Sequence, residues 1–174
     1  MDFPRRIYTE EEVNKARELV EKGYKHSLIS EGSPAFKQKV KRALELVKAA
    51  GYCDFLRTYI RAIKEIDGLT QLRQADAAIW ANMYAVENPV DAASLLVQKA
   101  NYMKEYLEGK LYYGGAAEKR SDEKRIEFLK VLETKSQEKQ VRRVRENPEA
   151  VERGLLGVLD AFNPDFCSAL HPFE

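Results

Sequence analysis

The spacing of apolar side chains along this chain predicts a series of helices. Thr9 and Glu12 have the spacing of a capping box, in which each side chain binds a backbone N–H at a helix start. Polar residues also precede prolines ahead of long stretches with helical apolar spacing, at Ser33-Pro34, Asn88-Pro89 and Asn147-Pro148. A side-chain acceptor at the N-cap and a proline in the first turn favour helix initiation, because proline lacks the N–H that would stay unpaired there.

The pattern predicts seven helices. In chain order they cover about 10–22, 33–50, 54–66, 69–86, 88 to an end between 109 and 115, 118–146 and 147–162. Asp67-Gly68 ends the third, and the fourth has an apolar stripe that runs from Leu72 through Ile79 to Val86. Short apolar runs such as 27–30 stand alone without a two-residue alternation, so we predict no strand.

The expected fold class is therefore all-α, with about seven helices in an antiparallel bundle or a short stack of helical hairpins. Short connections favour antiparallel packing of consecutive helices. Residues 1–162 are expected to form a single helical domain, and 163–174 an irregular C-terminal tail packed on the body. The helix near 118–146 is expected to project in part, since residues 133–140 are almost wholly polar.

Composition narrows the class of protein. The 174 residues are 44% hydrophobic and 33% charged, which is typical of a folded protein. The formal charge of +1 provides no overall field for a polyanion, so only local clusters can bind one. We see no secretory signal and no apolar run long enough to span a membrane. These features predict a cytoplasmic protein that makes no membrane contact.

Known catalytic motifs are not found. The two histidines, His26 and His171, lie far apart, and neither pairs with an evident nucleophile. We expect His26, in a loop, to be exposed. Gly114-Gly115 lacks the spacing of a phosphate loop, and the two cysteines lack that of a metal site. We therefore predict no cofactor, and the lack of these motifs in the sequence argues against an enzyme.

A tyrosine series on the fifth helix supports the function we favour from sequence. The series is Tyr102, Tyr106 and Tyr113, with Tyr112 adjacent. Tyrosine is common at interfaces because it buries area while its hydroxyl stays hydrated. The alternative explanation, an aromatic edge of the core, has equal weight. The resulting hypothesis is a macromolecular interaction or adaptor module that binds a protein, either itself or another.

A basic stripe on the sixth helix supports an alternative, a nucleic-acid-associated protein. Its members are Lys135, Lys139, Arg142, Arg143 and Arg145. Cations in such a stripe bind phosphates by displacing counterions. A solvated helix end, where cations suit the negative end of the dipole, explains the same residues. A second basic set lies on the predicted second and third helices: Lys37, Lys41, Lys48, Arg57, Arg61 and Lys64.

A second alternative is an all-α carboxylate- and Mg²⁺-dependent phosphohydrolase. Glu105 and Glu108 are the candidate metal ligands, since carboxylates three apart on a helix share a face and suit a hard cation. Such pairs also arise by chance in a chain with 28 acidic residues, so this indication is weak.

Overall fold

The computed structural model describes residues 2–146, which form a mixed α/β fold. The elements in chain order are α1 (Glu10–Glu21), β1 (Ile29–Glu31), α2 (Pro34–Ala49), α3 (Cys53–Tyr59), β2 (Ala62–Glu65), β3 (Gln71–Arg73), β4 (Ala78–Ala81), α4 (Pro89–Leu107) and α5 (Gly115–Glu146). Two short 3-10 turns, Gln74–Asp76 and Tyr84–Val86, flank β4. The all-α class and the bundle of seven helices predicted from sequence are therefore wrong.

Four strands form a single sheet in the order β1-β2-β4-β3. Strands β1, β2 and β4 run parallel, and β3 pairs antiparallel with β4 at one edge. Helices α2 and α3 connect β1 to β2, as the crossover between parallel strands requires.

The error lies in the predicted third and fourth helices. The third ends at Tyr59 and gives way to β2, and the fourth is replaced by β3, β4 and the two turns. Each of these strands has only three or four residues. Such strands are too short for an alternation of apolar and polar residues to be recognised in the sequence. Ala78 and Ile79 point to opposite faces of β4, and both are buried. Consecutive residues of this strand are therefore apolar, and no apolar–polar alternation appears.

The other described helices were predicted correctly because their start signals are local. The Thr9 side chain accepts a hydrogen bond from the Glu12 N–H, and the Glu12 carboxylate accepts one from the Thr9 N–H. Ser33 caps α2 through the Phe36 N–H, and Asn88 caps α4 through two N–H groups. The long sixth helix is confirmed as α5, which begins at Gly115.

The core lies between one face of the sheet and the helices. Helices α2 and α4 pack against each other, and α5 packs on α4. Their fully buried side chains include Phe36, Val40, Leu96, Met103 and Phe128. Leu132 is the last residue of α5 in this core, and most of the helix beyond it is exposed. The helices therefore cover one side of the sheet.

The predicted seventh helix (147–162) and the C-terminal tail (163–174) lie outside the described residues, and the assignment of 1–162 to one domain stays a prediction. Within residues 2–146, no helix has both the length and the apolar character that a membrane crossing requires.

Candidate functional site

The sheet face that points away from the core carries the most distinctive group of side chains. Strand register places two rows of four residues across this outer face, because paired residues on adjacent strands share a face. One row is Ile29, Ala62, Ala78 and Arg73, and the other is Glu31, Lys64, Trp80 and Gln71.

The core ends abruptly at the sheet. The intervening row includes Ile63 and Ile79, which belong to the core cluster, and Leu72, which packs against it. No outer-face residue belongs to that cluster among the described residues. Ile29 is 49% exposed, and the side chains of Lys64 and Glu31 are 39% and 52% exposed. The outer face is therefore open to solvent at Ile29, Glu31 and Lys64, whereas Ala62 and Ala78 in its middle are buried.

Trp80 gives this face an aromatic centre. The Arg73 guanidinium lies 4.5 Å from the centroid of the Trp80 ring, a cation–π contact between neighbouring strands. Trp80 as a whole is half-buried, and its Nε1 is buried with no hydrogen-bond partner in residues 2–146. Trp80 and Arg73 together form a stacking surface flanked by the ammonium of Lys64.

A cavity of about 290 Å³ lies beside this surface, at the amino ends of the parallel strands. Ala62 and Ala78 form its floor, because their methyl groups leave room that larger side chains would fill. Its charged lining comprises four cations and two carboxylates: Arg5, Arg6, Arg61, Lys64, Glu31 and Asp76. The positive charge is therefore concentrated at this end of the sheet.

The N-terminal segment forms one wall of the cavity, and Arg61 holds it in place. Arg61 Nη1 donates to the Arg5 carbonyl at 3.0 Å, and Nη2 donates to the Pro4 carbonyl at 2.5 Å. The Ile7 N–H donates to the Ala75 carbonyl at 2.9 Å. Carbonyl partners leave the charge of Arg61 unneutralised. The side chains of Arg5 and Arg6 are exposed and form no ion pair within residues 2–146.

One ion pair and two nearby carboxylates limit the net charge of the site. Glu31 Oε2 lies 3.3 Å from Lys64 Nζ, which offsets part of that cation. Arg5 and Arg6 also line a second open depression with Glu11 and Glu12 of α1. The Glu12 carboxylate is already bound to the Tyr8 and Thr9 N–H groups. Counting Arg73 and the cavity lining together, five cations face two carboxylates on this surface.

His26 lies behind the cavity and is buried, so the expectation of an exposed loop histidine is wrong. Its ring packs edge-on against Phe3 and Tyr24, at centroid distances of 4.4 and 5.1 Å. Burial, together with the nearby Arg61 charge, lowers the pKa of His26 to about 4. The imidazole is therefore neutral near pH 7 and serves as a packing element for the segment that Arg61 anchors.

The predicted tyrosine site is partly structural. The Tyr106 hydroxyl donates to the Ile7 carbonyl at 3.0 Å, and burial raises the pKa of Tyr106. Tyr112 connects it to Tyr113 through edge-to-face contacts of 5.2 and 5.4 Å. Tyr102 contacts the Lys99 ammonium. Only Tyr113 presents most of its side chain to solvent, with 66% exposed.

The predicted basic stripe lies on the exposed half of α5. Two of its members pair with acids of the same helix: Lys135 with Glu138 at 3.9 Å, and Arg142 with Glu146 at 2.8 Å. Burial and the neighbouring charge of Arg143 lower the pKa of Lys139. Arg145 lines a shallow groove on the same helix. The acids interrupt the stripe, as the sequence indicated.

The predicted metal pair is engaged with cations. Glu105 is almost fully buried and binds Arg120 through two hydrogen bonds, from Nε at 2.7 Å and from Nη2 at 3.2 Å. Glu108 contacts Lys104 and Lys110, and these hydrogen bonds contribute to a lowered pKa of its carboxyl. Residues 2–146 contain no group of three or more side chains suited to hold a metal ion.

The outer face was missed because its residues were assigned to helices or to loops. Lys64 and Arg61 were included in the second basic set, but that set is dispersed: Arg57 donates to the His26 carbonyl, whereas Lys64 lies on the sheet. The one available signal was the run 77–81, in which apolar residues surround the single tryptophan. Such a run is compatible with a buried strand.

No family model matches this sequence, and the searches against curated proteins and against solved structures likewise gave no match.

Proposed function

We propose that this protein binds single-stranded nucleic acid on the outer face of its sheet. The observation that supports this function is the combination of Trp80 with Arg73 and Lys64 on one open surface. Proteins that bind single strands use a positively charged surface for the backbone and aromatic rings on which bases stack. Arginine guanidinium planes serve the same stacking role.

The geometry favours a single strand over a duplex. The sheet is four short strands wide, and within residues 2–146 no helix stands out from its open face to enter a major groove. A flat face with a half-buried indole suits unstacked bases, which only a single strand offers. The outer face therefore replaces the α5 stripe as the preferred nucleic-acid surface.

Binding of labelled oligonucleotides, measured by fluorescence anisotropy at several salt concentrations, tests this proposal. Replacing two sheet cations, Lys64→Gln with Arg73→Gln, is expected to weaken binding and to lower the salt slope by about 1.4, about 0.7 for each phosphate contact with a single strand. The matched control is Lys139→Gln with Arg142→Gln on α5, which is expected to leave both quantities unchanged. The reverse result would transfer the site to α5, and no binding by the unmodified protein would refute the function.

A protein-interaction module is the second candidate function, and a specific observation favours it. Tyr8, Leu111 and Tyr113 are each 66–67% exposed around the start of α1 and the end of α4. Exposed apolar side chains that cluster mark interaction surfaces. Tyr113→Ser with Leu111→Ser is expected to abolish self-association in analytical ultracentrifugation. An unmodified protein that stays monomeric at high concentration would exclude self-association through this surface.

A further inference from the structure

We propose that the cavity beside Trp80 binds the terminal phosphate of a single strand, so that the protein recognises a phosphorylated strand end. This inference rests on the proposed function and specifies its ligand. Three observations carry it: the closed end of the face, the concentration of cations there, and the size of the cavity.

The N-terminal segment closes the face at this end. A strand that stacks on Trp80 and extends towards Ala62 and Ala78 meets Arg5 and Arg6, which line the cavity there. Arg61 fixes the backbone of this segment through its two hydrogen bonds, and the Ile7–Ala75 hydrogen bond fixes the next residues. The anchored N-terminal segment therefore stands across this end of the face, where a strand end fits more readily than a continuing strand.

The charge of the cavity suits a phosphate monoester better than a diester. A terminal monoester carries a charge of about −1.5 to −2 at neutral pH, and an internal diester carries one negative charge. Arg5 and Arg6 offer guanidinium groups with no ion pair in residues 2–146, and such groups bind phosphate oxygens in pairs. Asp76 also lines the cavity, so the phosphate is expected on the side of the two arginines.

The cavity is large enough for one nucleotide end but not for a longer segment. Its volume of about 290 Å³ lies at the lower limit of small-ligand sites.

Competition experiments with four unlabelled oligonucleotides test this inference against a labelled probe. The first three share one sequence and carry a 5′-phosphate, a 3′-phosphate or hydroxyls at both ends. The fourth has hydroxyl ends and two additional nucleotides, whose two diester charges equal the upper limit of the charge on a terminal phosphate, about −2. We expect one of the two phosphorylated strands to bind about tenfold tighter than both hydroxyl-ended strands, with a salt slope steeper by about one.

Variants at the cavity assign the effect to its residues. Arg5→Gln with Arg6→Gln is expected to remove the preference for a phosphorylated end while binding of the hydroxyl-ended strand persists. Asp76→Asn is expected to increase the preference, because it removes a repelling charge. Equal affinity for all four strands, or a preference that survives Arg5→Gln with Arg6→Gln, would overturn the inference while the proposed function stands. If none of the four strands competes with the labelled probe, both this inference and the proposed function are refuted.

Discussion

The side-chain carboxylate of Glu65, at the end of β2, accepts a 2.6 Å hydrogen bond from the backbone N–H of Ser33, the N-cap of α2. This bond ties the ends of two parallel strands, because Ser33 follows β1 after a single residue, Gly32. A Cβ atom at Gly32 would lie 2.6 Å from Glu65 Cβ and 2.9 Å from Phe36 Cδ1. Only glycine fits between the strand end and the helix.

Gly32→Ala is therefore expected to destabilise the protein by about 3 kcal/mol, from overpacking and from the positive φ of this residue. Urea unfolding followed by circular dichroism measures the change. The matched control is Gly115→Ala at the start of α5, where a Cβ meets no atom within 4 Å. We expect that change to stay within about 1 kcal/mol. Similar effects of the two substitutions would contradict the close approach at Gly32.

The helices could be predicted from sequence, whereas the sheet could not. Thr9, Ser33 and Asn88 cap helices through side chains only two or three residues from the N–H groups they bind, so the signal is local. Strand pairing is not local. Ala62 pairs with Ile29 and Ala78, and no short-range pattern encodes that register.

The candidate site could not be predicted for the same reason. Lys64 and Trp80 become neighbours only through the pairing of β2 with β4, and Arg73 reaches Trp80 only through the hairpin of β3 and β4. Arg5 and Arg6 lie more than 20 residues before the first strand, and no local pattern relates them to the sheet. The interaction that brings them to the cavity, Arg61 with two carbonyls, is again long-range.

Stacking on Trp80 predicts a specific ranking of substitutions. Trp80→Leu keeps an apolar side chain but removes the aromatic surface, and a stacked base contributes roughly 1–3 kcal/mol to binding. We therefore expect a loss of affinity for a single strand of about 5- to 160-fold in an anisotropy titration, with Trp80→Phe retaining most of the binding. Equal losses in the two variants, with unchanged circular dichroism, would argue against stacking.

The buried ion pair between Glu105 and Arg120 gives a stability prediction. Arg120→Ala leaves a carboxylate that is 4% exposed without its two hydrogen bonds. We expect a loss of roughly 2 kcal/mol, below the usual cost of breaking a fully buried pair because the Arg120 side chain is 41% exposed. Differential scanning calorimetry or urea unfolding measures it.

The control for this pair is Arg142→Ala on the exposed half of α5. Arg142 and Glu146 are 78% and 61% exposed, so their pair is expected to contribute less than about 0.5 kcal/mol. A loss in Arg120→Ala that is no larger than in Arg142→Ala would contradict a structural role for Glu105. It would also return that carboxylate to consideration as a metal ligand.

Burial of His26 predicts a pH dependence of stability with a defined sign. The pKa is about 4 in the folded protein and near 6.5 in the unfolded chain, so the unfolded chain takes up the proton first as pH falls. Stability is therefore lost between about pH 6.5 and pH 4, by roughly 3 kcal/mol in total. His26→Phe keeps an aromatic ring against Phe3 and Tyr24 but does not titrate.

Urea unfolding of both proteins at several pH values isolates this contribution, because the carboxyl groups of the two proteins titrate alike. The difference between the two proteins in free energy of unfolding is expected to change by most of these roughly 3 kcal/mol between pH 6.5 and pH 4. Below pH 4 this difference is expected to stay constant. Parallel stability profiles would show that His26 is accessible to protons in the folded state.

Trp80 is the single tryptophan of the chain, so its emission reports directly on the outer face. The most direct test of the central claim is a titration of this emission with a single-stranded oligonucleotide. We predict saturable quenching whose midpoint agrees with the anisotropy affinity, weakens with salt, and persists in Lys139→Gln with Arg142→Gln. Oligonucleotide binding that leaves the Trp80 emission unchanged, or no binding at all, would contradict a nucleic-acid site on this sheet.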